Sequence, residues 1–179
     1  IAGRFVVLMY HNLAPVSAGR YSVGVESFKA QLSWLRAEGY TIDGFRELAR
    51  RLPGRDFPER YVVVTFDDGH RSNLRAAHIL REFDAQATFF ITKQVRENHS
   101  KFMDQDEIAE VSRLCSVGTP GTTHRPLPNL TTDQLHAELV DSKRWLEDLV
   151  GEPVDTLSAP GGYLDSRVVR HALAAGYTL

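Results

Sequence analysis

With 179 residues, 42% hydrophobic and 25% charged, the chain has the length and composition of one folded domain with room for a buried core, which excludes a disordered or fibrous protein. Its 21 Lys and Arg against 23 Asp and Glu leave a formal net charge of -2, so no broad electrostatic attraction to nucleic acid or to an acidic membrane surface is built in. No apolar run approaches the roughly 20 residues that a bilayer-spanning helix needs.

In chain order, the first apolar run covers residues 5–9, is strand-length, and lacks the basic leader, long apolar segment and cleavage site of a signal peptide. Tyr10-His11-Asn12 follows it. Phe28, Leu32 and Leu35 then recur at helical spacing, with Gly39 placed to stop that helix. Residues 61–66 form a continuous apolar strand ending in Asp67-Asp68-Gly69-His70. A second helix carries Ala76, Ile79, Leu80 and Phe83 on one stripe, and residues 87–91 are the next strand. A third helix buries Ile108, Val111 and Leu114 behind a capping box of Asp104 and Glu107. Cys115 falls in that pattern as a buried thiol, and as the single cysteine it can form no internal disulfide.

A short strand around Val117 leads into a polar loop over residues 118–124, ending at His124. Thr131 and Gln134 offer a capping box for a long helix carrying Leu135, Leu139, Leu146 and Leu149, which Gly151 stops. Further strands are predicted over residues 154–157 and from Tyr177, with Ser158-Ala159-Pro160-Gly161-Gly162 between them. Near-continuous apolar strands alternating with amphipathic helices predict an α/β fold, a parallel sheet covered by helices. No repeat or linker divides the chain, so residues 1–179 read as a single domain.

The polar segments all follow strands, and in parallel architecture those ends share one rim, where binding and catalytic sites are built. Asp67 and Asp68 read either as an ordinary Asp-Gly turn or as a pair of carboxylates relieved by a cation or a shared proton. In the second reading one carboxylate ligates a metal and the other acts as base toward water. His124 reads as a solvated loop side chain or as an imidazole ligand beside Asp68. His11 and His70 fall on the same rim, as hydrogen-bonding residues or ligands. His78, His136 and His171 fall in helices and His99 in a connection, and no chemistry is assigned to them.

Val64-Thr65-Phe66-Asp67-Asp68-Gly69 followed by Ala87-Thr88-Phe89-Phe90-Ile91 resembles the first motif and next strand of the carbohydrate esterase family 4 polysaccharide deacetylases, the NodB homology domain. Leu8-Met9-Tyr10-His11 resembles the opening strand of its exopolysaccharide and poly-N-acetylglucosamine deacetylase subgroup, and residues 118–130 have the shape of the second motif. The resemblance implies a distorted, here incomplete, (β/α) barrel of about six to seven parallel strands. It implies a carbohydrate substrate whose N-acetyl groups are hydrolysed with a divalent metal, usually Zn²⁺, polarising the carbonyl and activating water. By position Asp67 would be the general base, with Asp68 and His124 as metal ligands. Pro160 and Gly161 would lie at the substrate and oxyanion wall, with His11 and His70 as further substrate or ligand candidates. The family implies a cell-envelope or extracytoplasmic setting; the oligomeric state is left open.

The chain departs from the family pattern at three places. Pro120 stands four positions before His124, where the family places its first metal histidine, so weak or absent zinc binding is expected. Ser158 stands where the third motif has arginine. The chain ends at Leu179 without the segment that supplies a Leu-x-His acid, so the domain is read as lacking its C-terminal strands. These departures leave three readings open: a deacetylase with a variant metal site, a catalytically impaired relative that binds sugar chains, and a different metal hydrolase on the same scaffold.

Overall fold

The computed structural model describes residues 4–16, 19–93 and 101–178; His99 lies outside them. The chain begins with β1 (Val6–Tyr10), β2 (Asn12–Ala14), β3 (Ser22–Gly24), α1 (Val25–Ala37), β4 (Thr41–Asp43) and α2 (Phe45–Arg51). It continues through β5 (Tyr61–Phe66), α3 (Ser72–Glu82), β6 (Thr88–Phe90), α4 (Gln105–Leu114) and β7 (Ser116–Gly118). Two helices, α5 (Thr132–Val150) and α6 (Ser166–Ala174), complete it. Every pairing between these strands is parallel.

All residues of β5 are buried, as a strand covered on both faces requires. β1 pairs along one side of it, from Val6 opposite Val62 to Tyr10 opposite Phe66. Two short strands divide the other side. β4 lies against Tyr61, Val62 and Val63, and β6 against Thr65 and Phe66, with β7 beyond β6. The chain leaves β4 through Gly44, where a Cβ would stand 2.7 Å from the carbonyl carbon of Ala87. Glycine is what lets β4 and the chain entering β6 meet on one flank of β5. Beyond it the Phe45 N–H donates to Thr88 Oγ1 at 2.8 Å, and that hydroxyl shares a 2.6 Å hydrogen bond with Ser116 Oγ, joining α2, β6 and β7. β2 and β3 form a separate parallel pair.

The helical periods appear where the sequence predicts them. Val25, Phe28, Leu32 and Leu35 are the buried residues of α1, and the capping boxes at Asp104 and Thr131 are both formed. Gly151 ends α5 at φ 72°, a left-handed value that glycine adopts without steric cost. Cys115 differs from its predicted place: it caps the end of α4 in extended conformation, directly before β7, and burial pushes its thiol up to about 12. Among the described residues the predicted strand at 154–157 shrinks to one parallel bridge between Leu157 and Thr119. No strand begins at Tyr177 among the described residues. Its ring packs instead with Leu127, Leu135, Leu139 and Val168, and its hydroxyl donates to the Leu139 carbonyl at 2.8 Å.

The array is an incomplete barrel. Among the described residues β1 pairs only with β5, and its Val6 and Met9 are 58% and 61% exposed. A cavity of about 550 Å³ opens between β1 and α1, lined by Leu8, Gln31 and Trp34 among others. None of the helices described is long and apolar enough to cross a membrane.

Candidate active site

The parallel register makes the strand ends level: Tyr10 stands opposite Phe66, Phe66 opposite Phe89, and Phe89 opposite Val117. The side chains beneath this rim are aromatic and close-packed. Phe66 stacks between Tyr10 and Phe89, with ring centroids 5.2 and 4.9 Å away, and Phe28 meets it edge-on at 5.6 Å. Such contacts fix ring positions beyond what area burial alone supplies, so the loops start from a rigid floor. The Asp67 N–H extends the ladder one residue past β5 by donating to the Tyr10 carbonyl at 2.9 Å.

The chain then turns sharply, with Asp68 at φ 73° and Gly69 at φ 75°. Aspartate is among the few non-glycine residues that tolerate this left-handed region. The turn brings Asp68 Oδ1 to 3.2 Å from His124 Nε2, with the two side chains 33% and 40% exposed. His124 is itself left-handed, at φ 58°. Two loops from different strands, each in an uncommon backbone conformation, therefore meet at one pair of side chains.

The adjacent carboxylates are driven apart in their ionisation. Burial, opposed by His11 and His124 and helped by Asp68, pushes the Asp67 carboxyl up to about 6. The hydrogen bond from His124 holds Asp68 below the usual carboxylate range against the effect of burial. That same hydrogen bond raises His124, while burial lowers His70. Two neighbouring acids with pKa values forced apart are suited to different duties, one exchanging a proton near neutral pH and one staying ionised.

Asp67, Asp68, His124, His11, Pro160 and Gly161 all line one cavity of about 490 Å³, and Pro120 and Ser158 also face it. The third loop reaches it because the Ser158 N–H donates to the Thr119 carbonyl at 3.1 Å. At Gly161, φ is 66° and a Cβ would meet the Tyr163 ring at 2.7 Å, so this wall too requires glycine. His70 is placed differently: it bridges to Phe102 and packs against its ring at 5.4 Å, and it does not line the cavity. Of the rim residues singled out by sequence it is the one that points elsewhere. Two residues that sequence reasoning missed belong to the site's surroundings. Tyr21 lines the cavity with its ring 4.9 Å from that of His11, and Glu138, on α5, hydrogen-bonds the loop before His124. Glu138 carried a readable signal, since it falls three residues after Leu135 and shares that buried stripe.

The family described as polysaccharide deacetylase matches residues 54–179. The chain belongs to the polysaccharide deacetylase family. Among curated relatives, the YxkH protein of Bacillus subtilis (strain 168) is 27% identical over 177 residues, 97% of this chain and 62% of its own length. The peptidoglycan-N-acetylglucosamine deacetylase of Bacillus cereus is 28% identical over 121 residues, 66% of this chain and 54% of that protein. The chain thus spans a little over half of these relatives. Among solved structures, the Streptococcus pyogenes deacetylase PplD in complex with acetate superposes with a TM-score of 0.87 at 24% identity, over 96% of this chain and 80% of that one. It shares the fold of this polysaccharide deacetylase chain, helices around a mostly parallel sheet.

The fit to a metal can be judged on the donors. Two ligands about 2.0–2.1 Å from a tetrahedral ion stand about 3.3 Å apart, and the 3.2 Å between Asp68 Oδ1 and His124 Nε2 matches one such edge. A catalytic zinc takes three protein ligands. Among the described residues no cluster of three or more His, Cys, Asp or Glu side chains is placed to hold one ion. Among the described residues the donor set falls one ligand short, and Pro120, where the family resemblance leads one to expect a histidine, lines the same cavity.

Proposed function

We propose that this domain hydrolyses N-acetyl groups on a carbohydrate polymer containing N-acetylglucosamine, with Asp67 as the base. One observation carries the reading: a half-buried carboxyl pushed up to about 6 stands beside an ionised one paired to His124, at the wall of a cavity large enough for a sugar unit. In this reading water attacks the acetyl carbonyl carbon while Asp67 takes its proton. The tetrahedral oxyanion collapses, the C–N bond breaks, and Asp67 returns the proton to the departing amine as acetate leaves. Membership of the deacetylase family supports the reaction class, and the N-acetylglucosamine polymer named in one relative supports the substrate class. The reading places the domain in the cell envelope, where peptidoglycan, the polymer named in that relative, lies.

Metal dependence belongs to the same reading through Asp68 and His124, and the missing third donor favours a second one. In it the groove binds sugar chains and the hydrolysis is impaired. Acetate release from an N-acetylglucosamine oligomer, measured with and without added Zn²⁺, separates the two. Acetate from the wild type and none from Asp67→Asn supports hydrolysis; oligomer binding without acetate supports the second reading; neither binding nor acetate rejects both.

A further inference from the structure

We propose that Glu138 is a positioning residue of this site, its buried carboxylate fixing the turn over residues 121–123 and thereby holding the His124 imidazole on Asp68. What the positioned pair does rests on the deacetylase reading; the positioning itself does not.

Glu138 is 5% exposed on a stripe of α5 whose neighbours Leu135 and Leu139 are fully buried. A carboxylate there is costly unless its oxygens are satisfied, and among the described residues no Lys, Arg or His pairs with it. Its partners are all in the loop before His124. Oε2 accepts the Thr122 N–H, both oxygens accept the Thr123 N–H at 3.2 and 3.0 Å, and Oε1 accepts the Thr123 hydroxyl. Successive backbone N–H groups converging on one anion form the concave arrangement that binds anions elsewhere, here filled by the chain's own side chain. Gly121, at φ 105°, lies so close that a Cβ would stand 2.7 Å from Glu138 Oε2.

His124 follows this turn directly, at φ 58°. A non-glycine residue persists there only when its surroundings hold it. α5 is a rigid mount, with a closed capping box at Thr131 and a buried apolar stripe. Without the carboxylate the freed N–H groups turn to water, the turn relaxes, and Nε2 leaves Asp68.

The test is a ¹⁵N-labelled chain observed by long-range ¹H–¹⁵N correlation of its imidazoles, with circular dichroism to confirm folding. In the wild type His124 should show the fixed pattern of an imidazole donating from Nε2. In Glu138→Gln its signals should move toward the averaged pattern of exposed His136, whose own signals stay in place. If Glu138→Gln does not fold, Thr123→Val, which removes one donor to the carboxylate, should move His124 in the same direction by less. A folded variant with unmoved His124 signals overturns the proposal. Acetate release judges the deacetylase reading separately: if the wild type releases none, that reading fails while the spectra still decide the role of Glu138. If it does, kcat of Glu138→Gln should fall at least about tenfold with KM within about twofold, and an unchanged kcat overturns the positioning role.

Discussion

Asp67 and Asp68 are the same residue type one position apart, yet burial dominates the first and a hydrogen bond from His124 the second. The pairing of carboxylates after a buried strand was legible in the sequence. Which one is raised was not, because that depends on how deeply each sits and on a histidine 56 positions away from Asp68. A carboxyl raised in the folded state disfavours folding once it ionises, so its cost is absent below the unfolded value near 3.9 and complete above the folded value. Asp67→Asn should therefore raise Tm at pH 8, with a gain that shrinks as pH falls from about 6 and is gone by about pH 4. Scanning calorimetry of both proteins across that range is the check, and a gain independent of pH would contradict the assignment. A second substitution tests the metal edge. Pro120 lines the same cavity as Asp68 and His124, so Pro120→His should raise Zn²⁺ affinity at least about tenfold, roughly 1.4 kcal/mol. Calorimetric titration at neutral pH measures it; equal affinities would mean that position 120 does not reach the ion.

At the scale of elements, legibility followed length. The helices α1, α3, α4 and α5 are long enough for a 3.6-residue period to declare their buried stripes, and two of them carry capping boxes that mark their starts. β4 consists of Thr41, Ile42 and Asp43, and three residues carry no period. The run at 154–157 had the composition of a strand, but among the described residues its only bridge is the one at Leu157, because apolar composition states that a segment is buried and leaves its partner open. Gly44 shows how two such short elements depend on each other. Gly44→Ala places a Cβ against the Ala87 backbone, where no side chain can swing aside, and overpacking of this kind costs about 1–3 kcal/mol. Urea denaturation should show that loss. A neutral result would mean that β4 can move off the flank of β5 without consequence.

Over the whole molecule the exposed edge of β1 stands out. Val6, Val7 and Met9 are all exposed, and no strand among those described pairs with β1 on that side. An apolar edge with free backbone groups is a template for association. The 179-residue chain should therefore self-associate as its concentration rises, and Val6→Lys should suppress this while changing stability by no more than about 0.5 kcal/mol, as exposed substitutions generally do. Light scattering against concentration, paired with thermal melts, gives both quantities. By itself the sequence determined the fold class and the rim that carries Asp67, Asp68 and His124, because hydrophobic period and strand-end position are properties of local order along the chain, and its motif residues marked the family. Only the tertiary structure decided that His70 turns to Phe102 while His124 meets Asp68, that Asp67 is the raised acid, and that Glu138 reaches across from α5 to hold the loop. Those outcomes depend on which distant segments share a dielectric environment and a hydrogen bond, and no spacing along the chain encodes that.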